Sequence, residues 1–278
     1  MTINCKGSLI DLSTPKVMGI LNLTPDSFYD GGKYKNEQLI LRQTEKMLTA
    51  GATFIDLGAY SSRPGAEHIS KKEELNRIVP VVELLVKKFP DVLLSIDTFR
   101  SDVAQACIEE GAAIINDISS GNLDEAMIPL IGKLKVPYIM MHMKGTPQTM
   151  KSLDYYDDLI KEIQLYFAEK IALAKKNGIN DIIIDPGFGF AKNINQNFEL
   201  LKKISLLHFH NVPVLAGVSR KSMIYKTLNI EASDALNGTT CLNTIALLNG
   251  SSILRVHDVK EAIECITLIN TYKEELVK

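Results

Sequence analysis

The sequence predicts a single (β/α)8 TIM barrel preceded by a short N-terminal hairpin, with residues 1–278 as one domain. Two observations carry that expectation. Eight short apolar runs recur along the chain, nearly all separated by segments of helical periodicity, and strand then helix repeated over about 250 residues is the pattern of that fold. The polar residues Asn22, Ser61, Asp97, Asn116, His142, Asp185, Lys221 and His257 fall at or just after the carboxyl ends of these runs. In a barrel those ends converge on one face, which is where barrels do chemistry. A doubly wound open sheet is the alternative, but its single crevice would leave several of these strand ends without polar residues.

Residues 2–12 alternate around Lys6-Gly7 as a hairpin does. After Pro15, 17–21 reads as a buried strand and leads into a glycine-containing loop over 22–32. A helical segment over 36–50 stops at Gly51, and the strand 54–57 runs into Gly58-Ala-Tyr60-Ser61-Ser62-Arg63-Pro64-Gly65. Leu75, Ile78, Val79, Val82, Leu85 and Val86 repeat near a 3.6 period, so 71–88 is expected as an amphipathic helix. The run 92–96 ends at Asp97, with Ser101 as the expected N-cap of the next helix. The run 112–115 ends at Asn116-Asp117, 136–141 at His142, and a long helix near 154–177 precedes Ile182-Ile-Ile-Asp185. Its β-branched side chains suit a sheet covered on both faces. Pro186 stops the ladder, since it cannot donate, and Gly187 and Gly189 permit backbone angles other residues avoid. The runs 212–218 and 252–254 lead to Ser219-Arg220-Lys221 and Arg255-Val-His257, and a final helix covers about 258–275.

Composition narrows the function. At 46% hydrophobic the chain buries a sizeable core, and a net charge of −2 argues against nucleic-acid and membrane-surface partners. No apolar run approaches the roughly 20 residues needed to span a bilayer, and Met1-Thr-Ile-Asn-Cys-Lys-Gly lacks an apolar signal segment. Cys5, Cys107, Cys241 and Cys265 are scattered without a C-x-x-C pair, which disfavours zinc and disulfide frameworks. A cytoplasmic protein acting on small molecules is the expectation.

Asp185 stands beside a loop carrying two flat rings, Phe188 and Phe190, an arrangement suited to a flat heterocycle with paired N–H donors. Taken singly, Asp97 reads as a helix cap and Asn116-Asp117 as turn chemistry. Three acids or amides (Asp97, Asn116, Asp185) in one mouth point instead to a ligand with an aminopyrimidine edge. Lys221 is an ion-pair partner of these carboxylates, a donor to a ligand carbonyl, or both. Arg255 and His257 alternate around Val256 and suit a phosphate or pyrophosphate, with an arginine–carboxylate bridge to Asp258 or a neighbour equally open. Asn22, Asp26 and Asp30 offer hard oxygens of the kind Mg2+ takes beside a substrate's phosphates. His68, His208 and His210 read as surface or packing residues.

Gly19-Ile-Leu-Asn22-Leu-Thr-Pro-Asp26-Ser-Phe28-Tyr-Asp30-Gly-Gly, followed by Asp56-Leu-Gly58 and Ser61-Ser62-Arg63-Pro64-Gly65, resembles the paired signature of the dihydropteroate synthase family. Ser95-Ile-Asp97-Thr, Ile115-Asn116-Asp117, Asp185-Pro-Gly-Phe-Gly-Phe190, Gly217-Val-Ser219-Arg220-Lys221 and Arg255-Val-His257 match the rest in order. The resemblance covers about residues 17 to 260. Ser62 stands where the family often has threonine, keeping the hydroxyl and losing a methyl, and Tyr60 where many members have glutamate.

The resemblance implies a transferase of folate biosynthesis that joins 6-hydroxymethyl-7,8-dihydropterin diphosphate to p-aminobenzoate, with sulfonamides competing for the aminobenzoate site. By similarity, Asp97, Asn116, Asp185, Lys221, Met140 and Phe190 hold the pterin. Asn22 binds Mg2+, with loop support from Asp26 and Asp30, and Asn22, Arg63, Arg255 and His257 hold the diphosphate. Ser62, Arg63, Pro64, Phe190, Ser219 and Arg220 shape the aminobenzoate site, and Lys221, Arg255, His257 and Asp185 carry the catalysis. The resemblance also implies a homodimer. Pterin-binding methyltransferases and a non-catalytic ligand-binding barrel are the rivals; neither needs the diphosphate residues.

Overall fold

Apolar runs without alternation become parallel strands when helices cover one face and a packed interior the other. The computed structural model describes residues 1–23, 33–60 and 69–275. An antiparallel hairpin, β1 (Thr2–Cys5) and β2 (Ser8–Asp11), comes first and turns at Lys6-Gly7, both at positive φ. There follow β3 (Lys16–Asn22), α1 (Lys33–Thr49), β4 (Phe54–Gly58), α2 (Lys71–Lys88), β5 (Leu94–Asp97), α3 (Ser101–Glu109) and β6 (Ile114–Asp117). The chain continues through α4 (Met127–Leu134), β7 (Tyr138–Met141), α5 (Leu159–Lys176), β8 (Ile182–Asp185) and α6 (Ile194–Lys202). It ends with β9 (Leu215–Ala216), α7 (Ser222–Leu228), α8 (Leu236–Leu248), β10 (Ile253–Val256) and α9 (Val259–Glu275).

The eight strands β3 to β10 pair in the order β8-β7-β6-β5-β4-β3-β10-β9, every pair parallel. A bridge between Ile184 and Val214, with the Ile184 N–H donating to the Pro213 carbonyl at 3.0 Å, joins β8 to the segment entering β9 and closes the ring. Closure removes the exposed edges an open sheet would carry.

Alternation along each strand sorts the core into layers. Met18, Phe54, Ile114, Ile139, Ile183, Leu215 and Ile253 fill the interior at the amino ends of the strands, where Ile3, Cys5 and Leu12 of the hairpin segment join them. The hairpin thus plugs the bottom of the barrel. The intervening residues, such as Ile55, Leu57, Ile96, Ile115, Met140 and Ile184, face outward and pack with Ile78, Val82, Leu85, Ile163 and Phe167 of the helices. What remains for the carboxyl end of the interior is polar.

Several boundaries differ from the sequence expectation, three of them for reasons visible in local bonding. Ser101 is the first helical residue and not the cap: Arg100 is the N-cap, and Asp124 accepts the Ser101 N–H at 2.7 Å. The helix expected from about 154 begins at Leu159, because the Asp158 carboxylate caps it through the Lys161 N–H at 3.1 Å. The run 212–218 yields only a two-residue strand, its remainder serving the closing bridge and the polar turn beyond.

Candidate active site

The interior network starts at Asp56, midway along β4 and fully buried. Its Oδ2 accepts from Arg255 Nε at 2.6 Å and its Oδ1 from the Ser95 hydroxyl at 2.6 Å, while the Asn116 amide N–H group lies 3.2–3.3 Å from both oxygens. Arg255 Nη2 then reaches Asp97 Oδ2 at 2.8 Å. One guanidinium fork is therefore held by two carboxylates, a rigid geometry lysine would not reproduce. Because the Asn116 nitrogen is turned onto Asp56, its carbonyl oxygen is left as the acceptor on the other side. Burial raises the Asp97 pKa to about 7, with Arg255 opposing and Asp56 adding to the rise.

The second cluster lies across the mouth. Asp185 ends β8, is buried, and accepts the Gly187 N–H at 2.8 Å. Burial raises its pKa, and Lys221, the Gly187 N–H and Arg255 counter the rise. Gly187 has φ +72°, and a Cβ there would stand 2.1 Å from the His142 carbonyl oxygen, so no other residue fits. Lys221, half-buried, donates to the Phe188 carbonyl and sits 4.9 Å from the centre of the Phe190 ring. Burial pushes the Lys221 ammonium down to about 8, against the pull of Asp185.

The third cluster lies where β9 and β10 end. The Ser219 hydroxyl accepts the His257 backbone N–H at 3.2 Å and lies 2.9 Å from His257 Nδ1. The hydroxyl donates to Nδ1 or accepts from it according to the ring's tautomer. Arg220, at φ +54°, directs its guanidinium to Asp258 at 2.8 and 2.9 Å and to the Ala232 and Ser233 carbonyls.

These positions sort the sequence expectations. Asp97, Asn116, Asp185, Lys221, Arg255, Phe190, Ser219 and His257 share the mouth. Asn22 ends β3 opposite Gly58. Arg255 bridges two carboxylates, as one reading allowed, but they are Asp56 and Asp97; Asp258 belongs to Arg220. Met140 is corrected: it packs with the helix layer on the outer face, and Met141 shares the inner cluster with Phe190. Tyr138-Ile-Met-Met141 is apolar throughout, so the run carries no alternation from which to read its face. Asp117 is indeed turn chemistry, its carboxylate accepting from the Ser119 and Gly121 N–H groups at 2.7 Å and the Tyr138 hydroxyl at 2.6 Å. Ser62, Arg63, Pro64, Asp26 and Asp30 lie outside the described residues.

Sequence reasoning gave no site role to Asp56, Ser95 or Lys192. A charged residue in the middle of an apolar strand was the available signal for Asp56. Among the described residues, no group of three or more His, Cys, Asp or Glu is arranged to hold a metal.

Comparison with known proteins follows the same geometry. A family model described as "Pterin binding enzyme" matches residues 18–257. The dihydropteroate synthase of Escherichia coli strain K12 is 42% identical over 271 residues, 97% of this chain and 95% of that one. The Synechocystis dihydropteroate synthase is 43% identical over 249 residues, covering 88% of this chain and 85% of its own. Among solved structures, the Yersinia pestis dihydropteroate synthase with a sulfonamide drug complex superposes with a TM-score of 0.92 at 43% identity, over 99% of this chain and 100% of that one. The Xanthomonas albilineans dihydropteroate synthase with 4-aminobenzoic acid gives 0.91 at 35% identity, over 98% of each chain.

Proposed function

The chain belongs to the pterin-binding enzymes, and within them to the dihydropteroate synthases, and from that premise we propose how its barrel mouth performs the reaction. The enzyme joins 6-hydroxymethyl-7,8-dihydropterin diphosphate to p-aminobenzoate, giving 7,8-dihydropteroate and pyrophosphate. The observation that carries the assignment of roles is the convergence of Asp185, Asn116 and Asp97 with Lys221 in one mouth.

In this reading the Asp185 carboxylate accepts the paired N–H donors of the aminopyrimidine edge. Asn116, oriented by Asp56, accepts a further ring N–H, and the Lys221 ammonium donates to the ring carbonyl. Phe190 and Met141 cover the ring. No side chain acts as nucleophile: the aniline nitrogen attacks the methylene carbon as the C–O bond to the diphosphate breaks, the electron-rich ring bears the positive charge that develops there, and the nitrogen then gives up one proton to the released pyrophosphate or to water. Negative charge grows on the leaving group, which cations placed in advance stabilise. His257, held by Ser219, offers a ring N–H to it, which is Nε2–H in the tautomer whose Nδ1 accepts from the hydroxyl. Arg255 has Nε and Nη2 committed to Asp56 and Asp97, so its contact with the diphosphate falls to Nη1 or follows release of Asp97.

Ser219 and Phe190 shape the aminobenzoate side together with Ser62, Arg63 and Pro64. Arg220 contributes through its backbone, its guanidinium being held by Asp258. The Asn22 amide oxygen at the end of β3 is a hard donor and fits Mg2+ in kind. The chemistry that ion supplies when bound is neutralisation of the departing diphosphate. A homodimer belongs to the same proposal, supported by Leu248, Leu268 and Tyr272, which α8 and α9 leave exposed. Among the described residues no helix is long and apolar enough to cross a membrane.

The test is pyrophosphate release from the purified protein. It should require both substrates and Mg2+, stop with EDTA and resume with excess Mg2+. Release that needs no aminobenzoate would contradict the condensation, and full turnover after chelation would remove the metal.

A further inference from the structure

We propose that Lys192 is a positioning residue for the pterin pocket: its ammonium clamps the glycine loop after β8 to the end of β7, and so sets where the Phe190 ring and the Phe188 carbonyl stand. The inference rests on the pterin reading of the mouth. Lys192 is buried, with Nζ 3.0 Å from His142 Nδ1, 3.1 Å from the Gly187 carbonyl oxygen and 3.0 Å from that of Phe190. An ammonium has three hydrogens and no lone pair, so three acceptors satisfy it completely. A neutral amine has only two hydrogens, and one acceptor would be left without its donor in a buried site.

The partners fit a charged lysine. Burial and the nearby Lys192 and Lys144 hold the His142 pKa well below its ordinary value, so the ring is neutral, accepts at Nδ1 and carries its proton on Nε2. Lys221 takes the Phe188 carbonyl between the two that Lys192 holds, so two ammonium groups fix three carbonyls of one short loop. The bend beyond the loop is strained: Ala191 has φ +48°, a conformation that persists only where surrounding bonds impose it. Lys192 bonds from one side and the Tyr156 hydroxyl, donating to the Ala191 carbonyl at 2.9 Å, from another.

The clamp also titrates in a useful range. Burial pushes the Lys192 ammonium down to about 7; Asp185 at the end of β8 opposes this, while Lys221 from the β9–α7 turn and Lys144 from the segment after β7 add to it. His142, neutral, is the remaining titratable group in contact. The clamp is therefore fully made below neutral pH and released as pH rises.

Calorimetric titration with 6-hydroxymethylpterin at pH 6 and pH 8.5 tests this on wild type, Lys192→Met and Lys192→Arg. Lys192→Met should bind about tenfold more weakly than wild type at pH 6, and the ratio should narrow at pH 8.5, where the contribution of Lys221 is common to both. In turnover, its KM for the pterin diphosphate should rise, and by more at pH 6 than at pH 8.5. Equal affinity at pH 6, or a ratio that stays the same at pH 8.5, would overturn the positioning role. Should Lys192→Met fail to fold, Lys192→Arg decides: with a permanent charge it should lose less affinity than wild type between pH 6 and 8.5, and an equal loss would overturn the proposal. A wild-type protein that binds no pterin at either pH overturns the pterin reading itself, and the proposal with it.

Discussion

Asp56→Asn tests the link between the buried ion network and the pterin edge. The substitution keeps the shape of the side chain and removes its charge. Asp56 now serves Arg255 Nε, the Ser95 hydroxyl and the Asn116 amide. An amide can keep its oxygen toward Arg255 and Asn116 and turn its nitrogen toward Ser95, whose hydroxyl can turn to accept. Asn116 keeps the oxygen 3.2 Å away and faces a donor where it had the second, 3.3 Å away. Arg255 keeps Asp97 at 2.8 Å, so the penalty falls below the ~3–5 kcal/mol of a fully broken buried pair. Replacing a charged acceptor by a neutral one in such bonds costs about 1–2 kcal/mol. For a chain of this size that corresponds to a Tm lower by about 2–4 °C. Because Asn116 loses one of the two oxygens that orient it and the charge on the other, pterin affinity should fall about fivefold, a loss of roughly 1 kcal/mol. Thermal unfolding followed by circular dichroism and calorimetry with 6-hydroxymethylpterin measure the two effects separately. An unchanged Tm would mean that Asp56 is not the anchor of Arg255. A lowered Tm with unchanged affinity would mean that Asn116 needs no orienting.

The two methionines of β7 should separate cleanly. Met140→Ala opens a cavity in the helix layer and should cost about 2–5 kcal/mol of stability with pterin affinity held within twofold, whereas Met141→Ala should weaken the pterin; the reverse pattern would refute the assignment of faces. Asp185→Asn removes a buried charged acceptor and should weaken pterin binding at least about tenfold, and unchanged affinity by calorimetry would take Asp185 out of the pocket. Lys221 is charged below about 8 and neutral above, so pterin affinity should fall as pH rises through 8; in Lys221→Met the affinity should be lower and the fall through that pH lost, and a persisting fall would place the titration elsewhere.

The barrel was legible because each strand run ends in polar residues, and Asn22, Asp97, Asn116, Asp185 and Lys221 mark those ends without any knowledge of contacts. Asp56 was passed over as a site residue for the converse reason: it lies in the middle of a strand, and only the distant Arg255 explains its charge. The face of Met140 was unreadable because four apolar residues in a row have no period, and the same ambiguity stretched 212–218 into a strand that is only two residues long. The helix α6 was missed in the sequence although Asn193 and Gln196 form a capping box at its start. Lys192 gave no sign in sequence, because a lysine after a glycine loop looks solvated until its three acceptors are seen.

The most direct measurement follows the new bond. With [15N]aminobenzoate and the pterin diphosphate, the product should carry 15N bonded to the pterin methylene carbon, in one-to-one ratio with the pyrophosphate released. Pyrophosphate accompanied by hydroxymethyldihydropterin, with 15N still in free aminobenzoate, would contradict the account.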